Sequence, residues 1–271
     1  MTNLIQKSKE YIVNRIGEIP TVGIILGTGL SNFADKIENK ITIPYEEIPG
    51  FVKSTAPSHK GNFIVGEFAG TRVVALQGRF HYYEGYTMEQ VIFPTRVLQA
   101  IGVHTLIVTN ASGSLRREFA PGSIILLNDH INFMGVNPLI GKNDDSLGER
   151  FVSLHDTYHT PYRDIVKDIA HKNKIKISEG VYIAVTGPSF ETKAECSFFA
   201  NIGADVVGMS TVPEVIAGIH CGLKILAFSV VTNYSNLYHS QQHSQEEIRE
   251  NANIAQHNLE SLISHFLGKL K

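Results

Sequence analysis

Residues 73–86 read Val73-Val74-Ala75-Leu76-Gln77-Gly78-Arg79-Phe80-His81-Tyr82-Tyr83-Glu84-Gly85-Tyr86. The apolar run before Gln77 reads as a buried strand. Gly78 breaks the run. Arg79 and His81 then follow at a spacing that puts both on one side of an extended backbone. A guanidinium offers a planar fork of donors suited to phosphate, and an imidazole adds a donor near neutral pH. Upstream, Phe63-Ile64-Val65-Gly66-Glu67-Phe68 and the turn Ala69-Gly70-Thr71 make this strand the second arm of a hairpin. His59-Lys60-Gly61 comes just before it.

The same device recurs along the chain. Val22-Gly23-Ile24-Ile25-Leu26 runs into Gly27-Thr28-Gly29-Leu30-Ser31-Asn32, and a helical pattern follows through Phe33, Ala34 and Ile37. A glycine turn with a hydroxyl before a helix suits an anion, because backbone N–H groups are free there. The dinucleotide fingerprint needs a third glycine where Asn32 stands, which weighs against a nicotinamide-dependent oxidoreductase. Further strands over 103–109, 123–127, 181–186, 204–207 and 224–231 end in small or polar residues. Those ends include Asn110-Ala111-Ser112-Gly113-Ser114, Phe190-Glu191, Met209-Ser210 and Thr232-Asn233.

Helical patterns cover 4–16, 162–174 and 245–270, the last with one continuous apolar face. Capping-box spacing at Thr87–Gln90, Thr192–Glu195 and Thr211–Glu214 predicts three more helix starts. Residues 41–57 and 135–149 read as loops, and 234–244 as a polar connection. Strands alternate with helices, so a single α/β domain over residues 1–271 is expected, its mixed central sheet flanked by helices on both faces. Ligands in such folds sit at the carboxyl ends of strands.

Composition narrows the function. Lys and Arg number 24 against 26 Asp and Glu, so no basic excess exists to neutralise a nucleic-acid backbone. Cys196 and Cys221 fall in helical patterns and read as core residues, not as a disulfide or zinc pair. No His or Cys set has obvious metal-ligand spacing, and no Gly-x-Ser-x-Gly elbow occurs, which disfavours metallo- and serine hydrolases. No apolar run approaches the ~20 residues of a membrane span, and the polar start has no signal-like region. A cytoplasmic protein is expected.

Two groups of candidates remain. Thr28, His59, Arg79, His81 and Ser210 suit an inorganic anion. Phe190 as a ring-face wall, Glu191 as an acceptor and Asn233 as an amide suit a flat heterocycle. Phosphate at one end and a nucleobase at the other imply transfer of a sugar between them.

With these residues in view, the chain resembles the trimeric purine nucleoside phosphorylases, of the family that also contains the methylthioadenosine phosphorylases. The resemblance rests on Gly27-Thr28-Gly29-Leu30, His59-Lys60-Gly61, the stretch from Gln77 to Tyr86, Val108-Thr109-Asn110-Ala111, Asp129-His130-Ile131-Asn132, Gly187-Pro188-Ser189-Phe190-Glu191-Thr192, Gly208-Met209-Ser210-Thr211-Val212-Pro213-Glu214 and Thr232-Asn233. It implies reversible phosphorolysis of 6-oxopurine nucleosides, inosine and guanosine, to free base and α-D-ribose 1-phosphate, in purine salvage. It implies no cofactor beyond phosphate as co-substrate, no metal, and a homotrimer. Phosphate is expected at Thr28, His59, Arg79, His81, the Ala111 N–H and Ser210. The ribose is expected against Tyr83 and Met209, with Phe151 arriving from the neighbouring subunit. The base is expected at Phe190, Glu191, Val207 and Asn233, and catalysis at Asn233, His81 and Glu191.

Two positions depart from the family pattern. Thr28 stands where Ser is common, and keeps the hydroxyl. The usual His for the ribose 5′-hydroxyl is replaced by Gln245, with His243 two residues earlier as the alternative. A methylthioadenosine phosphorylase and a xanthosine-accepting enzyme are the near alternatives, and Asn233 with Glu191 argues against the first. A binding protein on the same fold, without turnover, is the alternative from another class.

Overall fold

The hairpin forms as expected. Strands β3 (Asn62–Phe68) and β4 (Thr71–Gln77) pair antiparallel from Asn62↔Gln77 to Phe68↔Thr71. The structure is a computed structural model that describes residues 1–56, 59–239 and 241–270. Pro57 of the predicted 41–57 loop and Ser240 of the polar connection lie outside the described residues.

Strand β4 pairs parallel with β1 (Val22–Leu26), which pairs parallel with β5 (Thr105–Ser114). Both faces of these strands are covered, and the sequence reads accordingly as unbroken apolar runs. In β4, Val74 and Leu76 face one core, while Val73 and Ala75 face the other. The first core includes residues of α1 (Thr2–Ile16), α2 (Met88–Ile101) and α5 (Val212–His220). The second includes residues of α3 (Thr160–Lys172) and α6 (Gln245–Leu267). Helix α4 (Lys193–Asn201) contributes to a smaller third cluster through Cys196 and Phe199. Both cysteines are free, and Cys221 caps the C-terminus of α5 instead of lying within it.

The rest of the sheet holds β6 (Ile124–Asn132), β7 (Ile177–Ala184), β8 (Val206–Gly208) and β9 (Lys224–Tyr234). With β2 (Glu38–Pro44) at one edge, the order is β2-β3-β4-β1-β5-β8-β7-β6-β9, and β9 pairs back to β5 in parallel. The pairings β5–β8–β7–β6–β9–β5 therefore close on themselves. The sheet is mixed and flanked by helices, as expected; its closure is a feature the sequence pattern did not reveal.

Several boundaries shift for physical reasons. The predicted 41–57 loop contains the end of an edge strand, β2 (Glu38–Pro44), which is mostly exposed and whose apolar alternation is confined to Ile41 and Ile43, too short to mark a strand. The segment after the glycine turn is a six-residue 3₁₀ helix (Ser31–Lys36), not an α-helix. Asn110–Ser114 and Thr232–Asn233 are not turns beyond strands: the first are the last residues of β5, the second lie inside β9, and the two strands pair from Asn110↔Ser229 to Ser114↔Tyr234, with Gly113 opposite Asn233. Small polar side chains there hide the strand signal. No helix among the described residues is long and apolar enough to cross a membrane.

Candidate active site

The carboxyl ends of β1, β5 and β9 lie side by side, and a cavity opens there. Gly27 sets its floor: a Cβ would come within 2.7 Å of the Asn110 backbone, so only glycine lets β1 and β5 approach this closely. Gly29 has φ +78° and a Cβ there would lie 2.4 Å from Ala252 Cβ, so the turn is packed against α6. Thr28, between them, lines the cavity.

Arg79, His81, Ala111 and Ser210 line the same cavity as Thr28. Arg79 is 3% exposed. Its Nη1 donates to Glu214 Oε2 at 2.9 Å and to Thr211 Oγ1 at 3.2 Å, and its Nη2 donates to the Thr109 carbonyl. Three of five guanidinium hydrogens are thus committed. The Nε–H, which has no partner among the described residues, and one Nη2 hydrogen remain. These two donors are left to an anion in the cavity.

The spacing of Thr211 and Glu214 predicts a capping box, and the structure departs from it. Thr211 does precede α5, but it makes no side-chain cap and adopts φ +68°, a conformation rare for a β-branched residue. Its hydroxyl instead accepts from Arg79 and from Asn110 Nδ2 at 2.9 Å. Asn110 in turn accepts from Ser229 at 2.6 Å. The Glu214 carboxyl is pushed up by burial and pulled down by the Arg79 guanidinium. A buried network therefore runs beneath the cavity and holds Arg79 in place.

His81 is held by Glu84. The Glu84 carboxylate accepts from the His81 backbone N–H at 2.7 Å and faces His81 Nδ1 at 3.0 Å. Its other oxygen accepts from the Thr55 N–H at 2.7 Å. Burial raises the Glu84 carboxyl, but the hydrogen bonds from His81 and Thr55 outweigh it and bring it down to about 2. Tyr83 stacks on His81 from one side, with ring centroids 4.6 Å apart.

His59 lies one layer back. It does not line the cavity; it stacks on His81 at 5.1 Å, and its Nδ1 accepts from the Arg79 N–H at 3.1 Å. Its Nε2 is buried without a partner among the described residues. Burial, then His81 and Arg79, bring its imidazole down to about 3. His59 is thus neutral when folded and ionises in the unfolded chain below about 6.5. Between pH 6.5 and about 3 the unfolded state binds the extra proton, so stability falls as pH falls, by up to ~1.4 kcal/mol per pH unit. Glu84 acts in the same direction below its ordinary value, down to about 2. The urea midpoint is expected to drop from pH 7 to pH 5, and less steeply in His59→Gln. Equal slopes in both proteins would contradict the buried neutral His59.

The opposite wall carries the other candidates. Phe190, Glu191, Val207, Met209 and Asn233 all line the cavity. Gly187 has φ +64° and its Cβ would meet Met209 Sδ at 2.3 Å, which seats the segment bearing Phe190 against Met209. Burial pushes the Glu191 carboxyl up. Asn233 is oriented by its neighbours: Thr232 Oγ1 donates to Oδ1 at 3.0 Å, and Nδ2 donates to the Tyr234 carbonyl at 3.0 Å. Gln245 lines the cavity, whereas His243 sits at the rim, 4.6 Å from the Phe190 ring. Phe151 is far from burial, with 87% of its surface exposed.

Sequence reading missed Glu84, Thr211 and Glu214 as parts of the site. For Glu84 a signal existed: His81-x-x-Glu84 has capping spacing, and the Glu84 carboxylate does reach back to the His81 N–H. For Glu214 the capping pattern pointed elsewhere. Sequence spacing also gave no metal-ligand set, yet His239, His243 and Glu247 come together at the rim.

A family model for the "Phosphorylase superfamily" matches residues 21–268. The chain belongs to this family. It is 46% identical over 250 residues to purine nucleoside phosphorylase 1 of Bacillus subtilis, covering 92% of each protein. Purine nucleoside phosphorylase of Schistosoma mansoni in complex with adenosine superposes with a TM-score of 0.94 at 38% identity, covering 100% of this chain and 98% of that one. The same enzyme with inosine gives 0.93 at 38% identity, covering 99% and 97%. The homologues are purine nucleoside phosphorylases, as the sequence resemblance implies. The family member in these complexes holds either nucleoside, so likeness alone does not rank the bases.

Proposed function

We propose that the protein catalyses reversible phosphorolysis of 6-oxopurine nucleosides, releasing hypoxanthine or guanine and α-D-ribose 1-phosphate, as a step of purine salvage in the cytoplasm. One observation carries the reading: anion-type donors (Thr28, Arg79, His81, Ser210) and heterocycle-type groups (Phe190, Glu191, Asn233) line a single cavity. No cofactor is invoked; phosphate is the co-substrate.

Phosphate meets the free donors of Arg79, with His81, Thr28, Ser210 and the Ala111 N–H completing the set. His59 supports His81 from behind. Tyr83 and Met209 flank the ribose, and Gln245, inside the cavity, is better placed than His243 for the 5′-hydroxyl. Val207 and Phe190 hold the purine faces, Glu191 accepts from a ring N–H, and Asn233 donates to N7. As the glycosidic bond breaks, positive charge grows on the ribose and negative charge on the purine. Phosphate stabilises the first and Asn233 the second, through groups aimed in advance.

The working unit in this reading is a homotrimer. An 87% exposed Phe151, with the Arg150 guanidinium 5.4 Å from its ring centroid, is suited to reaching a neighbouring subunit's ribose site. Purified protein is expected to release base from inosine and guanosine far faster than from adenosine. A preference for adenosine would overturn the roles of Asn233 and Glu191 and favour the methylthioadenosine-type alternative.

A further inference from the structure

The polar connection between β9 and α6, with the first turn of α6, gathers three metal-ligand groups at the edge of the site just described. His239, His243 and Glu247 each place a donor atom within 4.8 Å of the others. His239 Nε2 stands 3.0 Å from Glu247 Oε1, and the two imidazole rings are 4.5 Å apart. The Ser244 hydroxyl caps α6 by accepting from the Glu247 N–H at 3.0 Å, which seats Glu247 in the first turn.

The orientation of His239 suits a metal ligand. Its Nδ1 lies 2.7 Å from the Gln241 carbonyl, and 3.3 Å from the Gln241 N–H. The shorter contact requires the proton on Nδ1, because a carbonyl only accepts. In the neutral ring Nε2 then keeps its lone pair and faces a carboxylate oxygen at 3.0 Å. A proton makes this contact a His–Glu ion pair, and a metal ion can take the proton's place between the same two atoms. An Nδ1–H bound to a backbone carbonyl is also the outer-shell arrangement that orients metal-bound imidazoles.

The geometry points to a divalent-cation site formed by His239, His243 and Glu247, which binds Zn²⁺ or a similar ion such as Co²⁺ or Ni²⁺. Two imidazoles and one carboxylate, with water in the fourth place, suit these ions; Mg²⁺ and Ca²⁺ want oxygen ligands. The site adjoins the purine end of the cavity. His243 packs on Phe190 and its Nδ1 is 3.4 Å from Asn233 Nδ2. A bound ion fixes His243 beside both groups and so couples to nucleoside binding; this coupling rests on the proposed function, while the ion site itself does not. Any such coupling is reciprocal between ion and nucleoside.

The test is equilibrium dialysis of tag-free, chelator-treated protein with Zn²⁺, compared with Mg²⁺. One Zn²⁺ per chain is expected, with no Mg²⁺ binding. His239→Ala and Glu247→Gln should each weaken Zn²⁺ at least about tenfold. Circular dichroism without metal should be unchanged in His239→Ala, which separates ligand loss from misfolding. Inosine KM should shift on adding Zn²⁺ to the native protein and not to His239→Ala. Absence of Zn²⁺ binding, or binding undiminished in both variants, would overturn the site. Dialysis reads the ion directly, so its outcome does not depend on whether inosine is a substrate.

Discussion

Asn233→Asp is expected to lower kcat/KM for inosine by about 10²–10³-fold, the usual cost of removing one preorganised donor at a site of developing charge. Asn233 is 4% exposed and its amide is oriented on both sides, by Thr232 Oγ1 at 3.0 Å and by the Tyr234 carbonyl at 3.0 Å. A carboxylate cannot donate to Tyr234 or to purine N7. It would also face the 6-oxo group of hypoxanthine, acceptor against acceptor. The 6-amino group of adenosine offers a donor instead, so adenosine should gain on inosine in this variant. Steady-state kinetics with both nucleosides reads the effect. Inosine turnover unchanged in Asn233→Asp would remove Asn233 from the leaving-group role.

Glu214→Ala should be the most damaging change below the cavity. The Arg79–Glu214 pair is 2.9 Å long, with both side chains almost fully buried. Removing one partner of such a pair leaves an uncompensated buried charge, typically costing about 3–5 kcal/mol. The loss should appear as a lower urea midpoint. It should also appear as a raised phosphate KM, because Glu214 and Thr211 decide which guanidinium donors are left for phosphate. Glu214→Gln keeps an acceptor for Nη1 and loses the charge, so it should fold better than Glu214→Ala while still binding phosphate weakly. If Glu214→Gln keeps the native phosphate KM, the carboxylate does not position Arg79 for the anion.

Much of this arrangement was legible from sequence because strand patterns are local. Val73–Leu76 and Val22–Leu26 are apolar without interruption since both faces of the sheet are covered, and the polar groups after them had to emerge at one edge. Thr87–Gln90 and Thr192–Glu195 cap their helices with the spacing read from the chain. What failed was non-local. Asn110–Ser114 look like a turn because their side chains are small and polar, yet β9 pairs with them across the sheet. Thr211–Glu214 has the spacing of a cap, but Arg79, 132 residues away from Thr211, claims the hydroxyl. His59 sits next to the site in sequence logic and one layer behind it in space, because stacking on His81 places it there. The edge strand β2 escaped notice because its apolar alternation is limited to Ile41 and Ile43 and the rest of the strand is mostly exposed and polar.

The measurement that bears most directly on the central claim is hypoxanthine release from inosine by purified protein, with and without inorganic phosphate, with the sugar product identified. One cavity for anion and purine predicts release that depends on phosphate and yields ribose 1-phosphate in equal amount. Release that proceeds equally without phosphate and yields free ribose would contradict it, since Arg79, His81 and Ser210 would then have no anion to hold.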